Sequence, residues 1–578
     1  MSLEEKAGQM FQQVLLMRPG GVIDTGNPDA NRLPTESMIK DRYISHYNLA
    51  GGNEEGLVMA GFMNHLQELA LETRLGIPIT ISTDPRNSFT ENFGTGFSAG
   101  TFSEWPEVAG LAALRDPELV FKYAEIIREE YLAVGIRSAL HPTVDVSTEP
   151  RWARNKGTMG EDAHLIAELV VPMLKGLQGD VLGPRSLTTV TKHFPGGGAM
   201  QDGEDAHFWY GKNATYPGDN FDYHLIPFRA AFEAGARQIM PYYSRPIDTE
   251  YEEVGWAFNK AVITDLLREE MGFRGIVVAD WGIISNQSMG DPEPAPARAW
   301  GVEHLSRPQR LLKALEAGVD QFGGEHVTDI LIDLVKSGIV PETRIDRSVR
   351  AILREKFILG LFEQPFVDVE AAQRIVGNDY FRRVGAETQR RSYTLLTNKE
   401  NILPLRRADM DAKFYIEGFN KTYMELRNLT VVETPQEADV ALLKFEAPSY
   451  PRSGAFEKSF NTGPLNFTMT EQERQAAIYA AVPTIVDVWL SRPAVIPEVF
   501  ERAAAVMGSY GSSPEAFLDL VFGDAKPEGK LPFDLPSSME DVENQFEDVP
   551  FDTENPVFRF GHGLSYENVP CKNRCAKR

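Results

Sequence analysis

The chain reads as an α/β protein with an N-terminal (β/α)8 TIM-like barrel followed by a smaller α/β sandwich domain. Three observations predict this. The 578 residues exceed what one hydrophobic core usually serves, so two domains of unequal size are expected. From about residue 75 onward, short apolar runs alternate with amphipathic helical stretches, the pattern of strand–helix units around a parallel sheet. At residues 359–365, Leu-Gly-Leu-Phe-Glu-Gln-Pro, the helical pattern stops at Gly and then Pro, and a second strand–helix series begins beyond it.

Taken in order, residues 77–82 form a strand that delivers Asp84 and Arg86. Helical periodicity over 106–134, interrupted at Asp116-Pro117, feeds a strand at 136–141. A helix at 164–177 leads to the strand 187–191 and its Lys192 and His193. A helix at 226–236 precedes the strand 238–240 and the polar group Tyr242, Tyr243 and Ser244. After a helix at 260–271 comes the stretch 275–282, Gly-Ile-Val-Val-Ala-Asp-Trp-Gly, an apolar run that ends in an acid and an indole. That is how a buried parallel strand looks when its C-terminal end opens into a site. Helices at 309–317, 329–336 and 344–359 and a short strand at 319–322 complete the series. Fewer than eight clean units are legible. Segments 199–223 and 287–306, rich in Gly, Asp and Pro, read as long loops over one face.

The expected division is a barrel over 1–362, a linker over 363–384, a sandwich over 385–566 and a disordered tail over 567–578. The sandwich has strands at 393–396, 414–416, 440–445, 484–490 and 504–507, with helices at 470–480 and 514–522.

Charge narrows the partners. A formal charge of −25, with no clustered Lys/Arg face, argues against nucleic acid and against an anionic membrane surface. No run of eighteen apolar residues is present, so no bilayer span is expected. The N-terminus starts as an acidic amphipathic helix rather than a secretory signal, which makes the protein cytoplasmic as encoded, with secretion left open if the N-terminus is incomplete. Cys571 and Cys575 sit in a basic tail where a disulfide could staple no core, and their spacing is too sparse for zinc. No metal and no organic cofactor is implied, because the acids are dispersed and no Gly-rich loop opens a helix after a strand in the dinucleotide manner. A homodimer is left open.

Several phrases carry a resemblance. They are residues 4–10 (Glu-Glu-Lys-Ala-Gly-Gln-Met), 150–154 (Pro-Arg-Trp-Ala-Arg), 160–162 (Gly-Glu-Asp) and 192–198 (Lys-His-Phe-Pro-Gly-Gly-Gly). Residues 278–282 (Val-Ala-Asp-Trp-Gly), 529–533 (Gly-Lys-Leu-Pro-Phe) and 560–566 (Phe-Gly-His-Gly-Leu-Ser-Tyr) continue them. In this order, over nearly the whole chain, the sequence resembles glycoside hydrolase family 3, and in particular its β-glucosidase-type members. The resemblance implies exo-acting hydrolysis of β-glycosides with retention of configuration, on a small-molecule or oligosaccharide substrate.

It also implies roles. Asp280 falls on the family nucleophile, which must be ionised and aimed at the anomeric carbon. Asp84, Arg154, Lys192, His193 and Tyr243 fall on sugar-binding positions, where Asp84 would accept from hydroxyls and Arg154 and Lys192 donate to them. Trp281 offers an apolar face to the sugar ring. Glu161 reads as a structural partner of the Arg154 loop, and Arg86 is left unassigned.

The general acid/base belongs about 5–5.5 Å from the nucleophile in a retaining enzyme. In two-domain relatives it is a Glu on a loop of the second domain, here 446–467, which holds Glu446 and Glu457. Glu457 is the expectation, from its distance to Gly463. A second reading comes from the barrel. Family members that are β-N-acetylglucosaminidases use a His shortly after the Lys-His motif, paired with an Asp two residues earlier. Asp205-Ala206-His207 stands in a comparable place, while Gly197 occupies the position where those enzymes have a His.

Three functions therefore compete: a retaining β-glucosidase with Asp280 and a second-domain Glu; a β-N-acetylhexosaminidase or glycoside phosphorylase using His207; and a carbohydrate-binding protein without catalysis. A phosphorylase needs a neutral acid/base, since a carboxylate repels incoming phosphate.

Overall fold

The computed structural model describes residues 1–27, 33–288, 294–405 and 411–566. The tail 567–578, with Cys571 and Cys575 and the disorder expected there, lies outside the described residues, as do positions 289–293 of the second long loop.

The barrel strands are β1 (Phe11–Arg18), β2 (His46–Gly51), β3 (Thr80–Thr83), β4 (Ile136–Ala139), β5 (Thr188–Phe194), β6 (Gln238–Pro241), β7 (Ile276–Ala279) and β8 (Gln321–Gly323). Each pairs in parallel with its neighbour, and β8 pairs with β1 through Phe322 opposite Phe11 and Gly323 opposite Gln12, which closes the ring. A two-residue strand, Val22–Ile23, joins β1 antiparallel outside the ring. Strands β1 and β2 lie upstream of residue 75, where the sequence pattern becomes regular. Each carries a polar residue that is satisfied inside the barrel: Gln12 Nε2 donates to Ser82 Oγ at 2.6 Å and Asn48 Nδ2 to Asp84 Oδ2 at 3.0 Å. Such a residue interrupts the apolar run by which a buried strand is recognised.

Local chemistry explains the helix boundaries. The stretch 106–134 splits into Val108–Leu114 and Pro117–Val134, because Asp116 caps the second helix, accepting from Leu119 N at 3.0 Å, with Pro117 in its first turn. At the N-terminal end of the barrel the helix Glu342–Ile358 inserts Lys356, which is fully buried and donates to the Ser45 and Pro78 carbonyls and to Thr80 Oγ1. The opposite end stays open.

The second sheet has six strands: β9 (Thr394–Asn398), β10 (Lys413–Glu417), β11 (Thr430–Val431), β12 (Val440–Glu446), β13 (Thr484–Trp489) and β14 (Ala505–Ser509). Their order is β9-β14-β13-β12-β10-β11, all parallel except β9 against β14. The segment expected as a linker, 363–384, is itself helical in part and fastened to the barrel: Leu57 N donates to Gln373 Oε1 at 3.1 Å and Gly377 N to Glu130 Oε1 at 2.7 Å.

The two units grip each other through the C-terminal segment. Asp548, fully buried, accepts from Gly218 N and Asn220 N, both at 2.8 Å. Glu161 belongs to the same seam and not, as the sequence suggested, to the Arg154 loop: it accepts from Asp534 N at 2.5 Å and Phe551 N at 2.8 Å. Burial pushes its carboxyl up to about 8.

Candidate active site

Parallel strands that end together bring distant residues to one rim, and here the C-terminal ends of β3, β5, β6 and β7 each deliver a polar side chain. Asp84 follows β3 directly. One of its oxygens receives Lys192 Nζ from β5 at 2.7 Å, the other Asn48 from β2 at 3.0 Å. Both members of the Lys192–Asp84 pair are buried. His193, next on β5, donates its backbone N–H to Asp145 Oδ1 at 3.1 Å and sets Nδ1 2.7 Å from Asp145 Oδ2. Gly197 N adds a third bond to Asp145 at 2.6 Å. Burial, reinforced by the Arg154 and Lys192 charges, drives the His193 ring well below its ordinary range, so it is neutral with Nε2 left for a ligand. Burial lifts Asp145 to about 6.

The glycines after His193 let the backbone turn tightly: a Cβ at Gly198 would overlap the Val146 carbonyl. Arg154 lies 5.9 Å from the Trp152 ring and 5.8 Å from that of Tyr242. Burial opposes its charge, but Tyr242 and the carboxyls of Asp205, Asp145 and Asp280 hold the guanidinium protonated.

Asp280 follows β7. Its Oδ1 accepts from Trp281 N at 2.8 Å, and the same N–H reaches the Tyr243 hydroxyl at 2.9 Å. Arg298 braces this corner, donating to the Trp281 carbonyl at 3.0 Å and to the His207 carbonyl at 3.2 Å while lying 5.1 Å from the Tyr243 ring. Beyond Trp281, Glu325 accepts from Ile284 N at 2.9 Å and Ser285 N at 2.8 Å, fixing the loop that follows the aspartate. Burial raises Glu325 to about 7.

Asp84, Arg154, Lys192, His193, Tyr243 and Asp280 line a single cavity of about 170 Å³, which His207 and Trp281 also face. Arg86 does not join them. It is buried and spends its guanidinium on Thr83 Oγ1 and the carbonyls of Leu49, Gly51 and Gly52.

The Asp205–His207 pair forms, with Nδ1 2.6 Å from Asp205 Oδ1, and the carboxyl also accepts from Trp152 Nε1 and Tyr242 OH, both at 3.1 Å. Burial would raise Asp205, but the His207 ring and backbone amide and the Arg154 charge outweigh it and keep the carboxyl ionised. Burial lowers His207, and Arg298 and Arg154 add to that, against the pull of Asp205. The ring is enclosed by Tyr243, Phe460 and Phe456 at 4.9, 5.2 and 5.7 Å.

Neither second-domain glutamate lines the cavity. Glu457 stands beside Phe456, which does, and its Oε1 accepts from Tyr210 OH of the barrel loop at 2.7 Å. Glu446, at the end of β12, accepts from Asn461 Nδ2 at 2.8 Å inside its own domain. Sequence reasoning passed over Asn48, Asp145, Arg298 and Glu325. Asp145 alone carried a signal, an acid between Val144 and Val146 just past a strand.

A closed parallel barrel whose C-terminal rim gathers acids, cations and an indole face into one cup has the architecture of a carbohydrate-processing enzyme. Residues 2–355 match the glycosyl hydrolase family 3 N terminal domain and residues 416–566 the glycosyl hydrolase family 3 C-terminal domain, and the chain belongs to that family of glycoside hydrolases. It is 59% identical over 577 residues to a probable beta-glucosidase C of Aspergillus oryzae, covering 100% of this chain and 90% of that one. It is 41% identical over 591 residues to a periplasmic beta-glucosidase/beta-xylosidase of Dickeya chrysanthemi, covering 98% and 88%. A solved β-glucosidase from Erythrobacter marinus shares the fold with a TM-score of 0.80 at 21% identity, over 98% of this chain and 82% of that one.

Proposed function

We propose that this chain is an exo-acting β-glucosidase that works with retention, with Asp280 as nucleophile and Glu457 as acid/base. The observation that carries the reading is the convergence of Asp280 with Asp84, Arg154, Lys192 and His193 on one small cavity at the barrel rim. A cup of that size, lined by a buried ion pair, suits a single terminal sugar.

The groups divide the work. Asp84, Lys192, Arg154 and His193 grip hydroxyls and thereby fix the ring, so that binding energy orients the anomeric carbon over Asp280. With Oδ1 held by the Trp281 amide, the other oxygen of Asp280 attacks the anomeric carbon. The glycosidic oxygen takes the Glu457 proton as its bond breaks, and the aglycone leaves as an alcohol. Water then gives its proton back to Glu457 and attacks the glycosyl ester, which releases the sugar and frees Asp280. Glu457 is favoured over Glu446 because its loop packs on the barrel loop that lines the cup, through Phe456 and Tyr210, whereas Glu446 bonds within its own domain.

One observation favours a second reading: the Asp205–His207 pair is formed and His207 faces the cup. In that case the imidazole carries the proton, and a β-N-acetylhexosaminide or phosphorolysis becomes the reaction. A panel of aryl β-glycosides, assayed with and without phosphate, decides between them. The glucosidase reading expects phosphate-independent release of glucose, a loss of about 10⁴-fold or more in Asp280→Asn, and partial rescue of Glu457→Gln by azide. Rescue confined to His207→Ala, or sugar phosphate as product, would establish the second.

A further inference from the structure

A second cavity, of about 60 Å³, has Arg154 in common with the sugar cup and lies between the barrel rim and the second-domain loop at Ser459 and Phe460. Three polar side-chain atoms of its lining residues are buried and have no partner among the protein's own groups: Arg154 Nη1, Asn87 Oδ1 and His141 Nε2. Their residues are 9%, 2% and 4% exposed. A guanidinium N–H, an amide oxygen and an imidazole nitrogen supply a donor, an acceptor and a group that serves as either. Such a set is matched by a molecule that both donates and accepts. The volume admits about four waters at about 15 Å³ each, and polar chambers of this kind are wet where apolar ones stay dry.

We propose that this chamber binds a cluster of ordered waters that completes the hydrogen bonding of Arg154, Asn87 and His141 and so aims the Arg154 fork at the sugar cup. The need for such a support is visible in how Arg154 is otherwise held: Tyr242 bonds to it and the Asp145, Asp205 and Asp280 carboxyls attract it, while no protein group meets its Nη1. An unmatched Nη1 leaves the fork one anchor short against rotation within its plane. Hydrogen bonds from one side remove this freedom. Because the loop bearing Ser459 also bears Glu457, the same waters link the grip on the sugar to the position of that loop. Arg154 is thus a sugar-binding residue whose aim depends on the chamber, while Asn87 and His141 are positioning residues.

The functional half of this proposal rests on the glucosidase reading; the structural half does not. Gly157 lines the chamber, and a Cβ built there meets no atom within 4 Å. Gly157→Leu places apolar volume at the chamber wall, where a side chain has room, and Gly157→Ser places a polar group there. A high-resolution crystal structure of the full chain, soaked with and without bromide, is expected to show about three or more waters bonded to the named atoms and no bromide. In Gly157→Leu these waters are displaced, and KM for an aryl β-glucoside rises about tenfold with kcat within about threefold, while Gly157→Ser stays near wild type. Bromide in the chamber, named atoms paired directly with side chains, or displaced waters with an unchanged KM would each overturn the proposal. Activity retained in Asp280→Asn would instead sink the glucosidase reading, and the wild-type water positions would still decide the chamber.

Discussion

Lys192 and Asp84 face each other at 2.7 Å with side chains only 4% and 6% exposed, so each ion depends on the other for its charge compensation. Such a pair contributes little when whole and costs much when halved. Lys192→Met is expected to lower stability by about 3–5 kcal/mol in urea unfolding, and to abolish binding of a glucose-like inhibitor, since Asp84 loses the cation that orients it. A double change to Asn and Met is expected to recover most of the stability without the binding. His193 follows the same logic of one fixed partner: Asp145 occupies Nδ1, which commits Nε2 to the cup.

At the scale of elements, the loop after β7 decides how Asp280 and Trp281 are presented, and Glu325 anchors it from β8 through two backbone amides on a single oxygen. Burial raises that carboxyl from 4.5 to about 7, which means the folded state binds a proton that the unfolded state has released. The sign follows: the contribution is fully present below about 4.5 and is lost as pH rises through about 7, a difference of about 3 kcal/mol. Glu325→Gln keeps the accepting oxygen and removes the titration. Melting temperatures measured from pH 4.5 to 8 are expected to fall more steeply for wild type than for the variant; parallel curves would contradict the assignment.

The same scale shows what could be read from residues alone. Strands β3 to β8 were legible because short runs rich in apolar and β-branched residues alternate there with amphipathic helical stretches. Strands β1 and β2 were not, because Gln12 and Asn48 interrupt them and are satisfied inside the barrel by Ser82 of β3 and by Asp84 just past it. Polarity that would mark a loop in isolation is paired across the sheet. Asp84, Arg154, Lys192, His193, Tyr243, Asp280 and Trp281 could be named in advance because each follows a strand or stands in a family phrase. Glu325 and Arg298 could not: their roles consist of bonds to backbone groups far away in the chain, which no spacing announces.

At the scale of the whole molecule, the C-terminal segment holds barrel and sandwich together through buried bonds to backbone amides. Asp548 satisfies two donors of the 199–223 loop that also carries His207 and Tyr210. Asp548→Ala orphans both and is expected to cost about 2–4 kcal/mol in urea unfolding. Turnover should fall as well, because the loop that receives Glu457 loses its anchor. Two separate unfolding transitions in wild type would show that the seam does not couple the units.

As nucleophile, Asp280 is expected to form a covalent ester with the sugar. A 2-deoxy-2-fluoro aryl β-glucoside slows the second step more than the first and lets the ester accumulate, so the enzyme can be digested and its peptides weighed. A single glycosylated peptide is expected, the one containing Asp280, and none in Asp280→Asn. Label on another carboxylate, or no label while product of inverted configuration is released, would contradict it.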